Sequence, residues 1–217
     1  MGIFNYDSKF MQILGSFWDL LWLNLLTAVC SLPVFTFGAS VTAMHHVLTQ
    51  IVTEDCSGVT RSFFKSFKMN FRQATGLWLI FLLIAVLLLA DYYWFFLVKA
   101  DAPFFLLCIL VLLTFLWSAG FVWLFPLISR YQNTARAQVK NSLSLFLAHP
   151  FMTLAMIVFL VCPAVFMVLN LEFGLLILLL LGYTGPGILS ALLYSRVFAR
   201  LEKKPAEQSE SSESEQP

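Results

Sequence analysis

The stretch RSFFKSFKMNFR, Arg61 to Arg72, decides how the chain is read. Phe63, Phe67 and Phe71 recur every four residues, and Lys65, Lys68 and Arg72 recur at three and four. On a helix this spacing gives one aromatic face and one cationic face. The aromatics then point into acyl chains or protein, and the cations stand at the level of lipid phosphates. On both sides of this stretch the sequence is mostly apolar. Of its 217 residues 60% are hydrophobic and only 12% charged, with a mean hydropathy of +0.85. A water-soluble domain of this length carries far more polar surface. The composition therefore predicts an all-α integral membrane protein. A net charge of +1 supplies no basic field for nucleic acid.

Five apolar runs have about the 20 residues that a bilayer core requires. They cover residues 17–37, 76–98, 104–128, 151–171 and 173–194. Residues 1–16 read as a short interfacial segment with Phe10, Met11 and Leu14 on one face and Asn5 or Asp7 as cap. Ala39 to Thr53 is too polar to span. Its Val41, Met44, Leu48 and Ile51 predict an amphipathic helix lying on the membrane surface. A second polar connection, Ser129 to Pro150, carries an apolar stripe of Val139, Leu143, Phe146 and Leu147. Residues 1–204 thus form one membrane-embedded domain. The tail, 205–217, is Ser-, Glu- and Gln-rich and is expected to be disordered.

Charge sets the orientation. Arg61, Lys65, Lys68 and Arg72 lie in one connection, Arg130, Arg136 and Lys140 in another, and Arg196, Arg200, Lys203 and Lys204 after the last span. Of the 13 Lys and Arg residues only Lys9 and Lys99 fall on the other side. Basic loops stay cytoplasmic. This predicts a multi-pass protein of the cell membrane with five transmembrane helices, the N-terminus outside and the C-terminus inside, and amphipathic cytoplasmic connecting helices. Spans one, three and five each have a proline in the inner half, Pro33, Pro126 and Pro186, followed by a basic segment. Either a parallel internal repeat or the shared topology produces that pattern.

Few residues offer chemistry. Cys30, Cys108 and Cys162 lie in apolar runs and Cys56 in a polar linker, without metal or disulfide spacing. His45 and His46 are adjacent, so on a helix they diverge and make poor co-ligands. Cys56 with Asp55 and a histidine has nothing to fix a nucleophilic geometry. No catalytic, metal or cofactor site is expected. Asp19, Asn24 and Asp91 are the candidate intramembrane polar groups. They either line a pathway or make structural hydrogen bonds and headgroup contacts. Gly185-Pro186-Gly187 breaks the last span, as a packing kink or as part of a substrate site. The candidate docking surface, toward a partner or lipid, is Phe63, Lys65, Phe67, Lys68, Arg72, Arg136 and Lys140. Topology and an anionic leaflet also account for its charge.

LNLLTAVCSLPVFTFGASVTAM, Leu23 to Met44, and RSFFKSFKMNFRQATGLWLI, Arg61 to Ile80, resemble the YesL family of small bacterial membrane proteins. FPLISRYQNT, Phe125 to Thr134, and VKNSLSLFLAHP, Val139 to Pro150, extend the resemblance over nearly everything but the tail. His45-His46 departs from it, standing where relatives carry aromatic residues. The family is a domain of unknown function, often encoded beside carbohydrate ABC importers and glycoside hydrolases. The resemblance implies no catalytic residues. It implies a non-enzymatic accessory component of carbohydrate uptake, with ABC importer permease subunits as partners; the bilayer and further copies of the chain are the other expected partners. No Walker motif or permease coupling motif is present, so the chain is neither an ATPase nor a standard permease subunit. The alternative is a small secondary transporter or channel acting alone or as an oligomer.

Overall fold

The computed structural model describes residues 9–53, 58–98, 103–170, 174 and 178–214. The described residues are helical, with no strand among them. Helix α1 is Lys9–Ser31, α2 Phe37–Val52, α3 Val59–Tyr93, α4 Phe104–Arg130, α5 Ala135–Ala148, α6 Pro150–Leu169 and α7 Thr184–Ser214. A 3-10 turn, Val34–Thr36, precedes α2, and π turns follow α3 (Trp94–Val98) and precede α7 (Leu178–Gly182).

Local chemistry sets the helix ends. The helical conformation is disfavoured for the residue before a proline, and α1 stops at Ser31, ahead of Leu32-Pro33. The Thr36 hydroxyl then donates to the Cys30 and Pro33 carbonyls, at 2.6 and 2.7 Å, which satisfies open acceptors at the break. Gly58, at φ 122°, lies where only glycine is comfortable, and α3 starts at the next residue. Thr134 caps α5 by accepting from the Ala137 amide. Pro150 opens α6, where its missing N–H costs nothing.

The basic stretch and the second apolar run are one helix. Together with its π turn, α3 runs over Val59–Leu97 and contains an apolar stretch long enough to cross a membrane. Helix α4 is likewise long and apolar enough. Helix α5 and the Pro150–Phe166 part of α6 pass as a pair, bent by 106°. The expected 104–128 and 151–171 runs correspond closely to α4 and α6.

The largest departure from the sequence reading is α2. It does not lie on a surface. Ten of its residues, from Gly38 to Leu48, are buried, with α1, α3, α4 and α7 packed around it. Its apolar stripe alone suggested a one-sided helix. Small residues on the other face, Gly38, Ala39, Ser40 and Ala43, let neighbouring helices approach that side too. A Cβ on Gly38 would lie 2.5 Å from Trp78 Cβ and 2.6 Å from the Ala74 carbonyl oxygen.

Because α2 is a buried return helix, α1 and α3 run in the same direction. Trp22 Nε1 donates to Thr60 Oγ1 at 2.8 Å, and Trp78 Nε1 donates to the Val34 carbonyl at 2.7 Å. The middle of α1 is therefore level with the start of α3, and the turn just past the end of α1 with Trp78. The expected alternation, in which these two elements run oppositely, is not what the chain adopts. Pro33 sits between helices, Pro126 inside α4 and Pro186 in the first turn of α7.

The backbone of α7 is helical to Ser214, beyond the point where composition predicts disorder. Extending an existing helix avoids the unfavourable nucleation step. Residues 1–8 and 54–57, including Asn5, Asp7, Asp55 and Cys56, lie outside the described residues. The readings of those positions go with them.

Candidate functional site

Two places bring chemistry together: an internal cavity beside α2, and a cationic face on α3 and α5.

The aromatic face of α3 points inward. Phe63 is fully buried and Phe67 and Phe71 are half-buried. Their rings follow one another at 6.1 and 5.4 Å. Of the two surroundings open to this stripe, protein takes it. Ser62, Ser66, Asn70 and Ala74 are buried on the same side of α3, and the Asn70 amide donates to both the carbonyl and the hydroxyl of Ser66. Phe63 and Phe67 are core residues and do not belong to a docking surface.

Lys65, Lys68 and Arg72 on α3 are exposed, as are Arg136 and Lys140 on α5. The connection between α4 and α5 is tied to α3 beside them. Gln73 Nε2 donates to the Asn133 carbonyl at 2.7 Å, and Gln132 Nε2 approaches Met69 Sδ at 3.2 Å. Arg130 stands over the Phe198 ring, 5.8 Å from its centroid. On α5 the inward residues are Gln138, Ser142 and Leu145. Val139, Leu143 and Leu147 of its apolar stripe are exposed, and Phe146 meets Phe115 at 5.7 Å.

The candidate polar groups do not converge. Asn24 is fully buried, and its Oδ1 accepts from the Tyr183 and Thr184 amides at 2.9 and 3.1 Å. It caps α7 from another helix, satisfying donors that a helix N-terminus leaves open. The last run thus breaks at Gly182 and Tyr183, just ahead of Gly185-Pro186-Gly187, and that tripeptide forms the first turn of α7. Asp19 is half-buried on α1, and Asp91 is exposed on α3.

The two adjacent histidines go to different neighbours. His45 Nδ1 is 3.2 Å from the Tyr194 hydroxyl, which is also 3.4 Å from Thr49 Oγ1. His46 Nδ1 donates to the Ser129 carbonyl at 3.1 Å, and its Nε2 accepts from Gln50 Nε2 at 3.3 Å.

A cavity of about 290 Å³ opens beside His45, between α2, α4, α6 and the start of α7. Met44, Val122, Phe125, Met156 and Pro163 give it an apolar wall, and His45, Tyr183 and Ser190 are its polar members. Among the described residues no group of three or more His, Cys, Asp or Glu side chains is arranged to hold a metal ion.

The helices α1, α2 and α3 are the part of the chain that comparison recognises. Residues 17–92 match the family described as "Protein of unknown function, DUF624". The DUF624 match begins within α1 and ends one residue before α3 does, so it coincides with the hairpin of α1 and α2 and the long helix packed on it. The aromatic stripe of α3, Gly38 and Asn24 all lie inside the DUF624 segment. The cavity and the α5 cations draw on helices beyond it. No curated protein and no solved structure matches the chain.

Proposed function

We propose that this chain is a non-enzymatic, multi-pass protein of the cell membrane, of the YesL type, acting as an accessory component of a carbohydrate ABC-type uptake system. The observation that carries the docking part is the exposed cationic face. Lys65, Lys68 and Arg72 stand next to the α4–α5 connection that Gln73 and Gln132 tie to α3, and Arg136 follows on α5. Such a face suits an acidic surface of a partner at the cytoplasmic boundary. The link to carbohydrate uptake rests on the resemblance to the YesL family, and the DUF624 match is compatible with it.

In this reading the start of α3, the end of α4 and the C-terminal part of α7 lie on the cytoplasmic side, where their cations favour them. The direction of α1 supports putting its start on that side as well, in place of an external N-terminus. Lys9 then joins the cytoplasmic cations, leaving Lys99 outside.

A small transporter or channel is the second reading, and the cavity with the helix break beside it is what favours it. The mainly apolar wall suits neither a sugar nor an ion. Asn24 is committed to capping, and Asp91 is exposed on a different helix.

The test is affinity purification of the tagged protein in mild detergent, with mass spectrometry of what accompanies it. Permease subunits are expected with the wild type and are expected to be lost on Lys65→Glu, Lys68→Glu and Arg72→Glu together. A partner-free pool under every inducing glycan sinks the accessory role.

A further inference from the structure

The cavity beside α2 has a chemistry of its own, independent of docking. Its volume, about 290 Å³, is at the lower end of ligand pockets, which run from roughly 300 Å³ upward. At roughly 30 Å³ per water-sized group it holds a chain of about ten carbons. At one margin it is lined by Leu160 and Ala164 of α6, both exposed. They continue the outward apolar surface of that helix with Val161 and Val165. The mouth therefore faces the side where lipid chains lie.

The inner wall is apolar except at few points. The Ser190 hydroxyl donates to the Pro186 carbonyl at 2.9 Å. His45 uses Nδ1 toward Tyr194. Its Nε2 has no protein partner among the described residues, and the ring lines the cavity. Open to the cavity within a mainly apolar wall, such an atom gains from a hydrogen bond brought by a ligand. The amides of Tyr183 and Thr184 at the start of α7 already donate to Asn24, so they do not draw an anion. An uncharged imidazole in an apolar wall does not favour a charged headgroup either.

We propose that this cavity binds a single alkyl chain bearing one uncharged hydroxyl, taken laterally from the bilayer past Leu160 and Ala164, with the hydroxyl hydrogen-bonded to His45 Nε2. The apolar wall takes the chain, and the imidazole selects an alcohol over an ammonium or a phosphate.

Photolabelling of the full-length protein in lipid nanodiscs tests it. The probe is a decanol carrying a mid-chain diazirine, beside a decyltrimethylammonium with the same diazirine. The alcohol is expected to label peptides containing Val122 or Met156, and excess 1-decanol is expected to compete. The ammonium should label them about tenfold less, equivalent to about 1.4 kcal/mol. Ala164→Trp, at an exposed position that folding tolerates, should block the mouth and reduce labelling by a similar factor. His45→Phe should erase the preference for the alcohol. Labelling confined to outward residues such as Leu83 and Leu154 overturns the proposal. So does lining-peptide labelling that neither decanol nor Ala164→Trp reduces, or that the ammonium matches.

Discussion

Single atoms decide how α2 is held. A Cβ at position 38 would meet the Ala74 backbone oxygen and Trp78 Cβ, neither of which can move alone. At position 187 it would meet Leu48 Cδ1 at 2.7 Å, the end of a flexible side chain. Gly38→Ala is therefore expected to cost about 1–3 kcal/mol and Gly187→Ala less, read as the order of their thermal midpoints in detergent. Asn24→Ala leaves the Tyr183 and Thr184 amides without their acceptor, at about 1–3 kcal/mol for a buried unsatisfied group. Its expected signature is a lower midpoint with faster proteolysis near residue 183.

At the scale of elements, the aromatic stripe of α3 tests what kind of helix it is. Phe63 is fully buried, while Phe64 beside it is 46% exposed. Phe63→Ser should cost about 3–5 kcal/mol, as truncations of core aromatics do, and deplete the protein from membranes. Phe64→Ser should leave its level near wild type. Equal levels of the two would return the stripe to a lipid anchor. The sequence already carried this helix, its period and its two faces, and it carried α4 and α6 nearly to the residue. It did not carry the role of α2. Polar His45, His46 and Thr49 look like a solvated face in one dimension, because burial of polar groups depends on partners far along the chain. Tyr194 and Ser129 are such partners, and neither is near α2 in sequence. The candidate site was legible in part. The cations are exposed, the phenylalanines face the interior and not a docking surface, and Asn24 takes its meaning only from Tyr183 and Thr184. The cavity was hidden because its walls come from four helices.

For the whole molecule the decisive quantity is the direction of α1. Long apolar runs counted in order alternate across a bilayer, and that rule put Lys9 opposite Lys65. The rule fails if a buried helix returns the chain between two runs, as α2 does between α1 and α3. The Trp22–Thr60 and Trp78–Val34 bonds hold α1 and α3 parallel at two levels. Two parallel helices start on the same side of whatever membrane they enter. In a cysteine-free background, single cysteines at positions 9, 99 and 196 separate the two arrangements. A membrane-impermeant thiol reagent applied to intact cells should modify Lys99→Cys, whereas Lys9→Cys and Arg196→Cys should react only after permeabilisation. Modification of Lys9→Cys from outside, with Arg196→Cys protected, would restore five alternating spans and require α1 to leave the position that Trp22 and Trp78 give it.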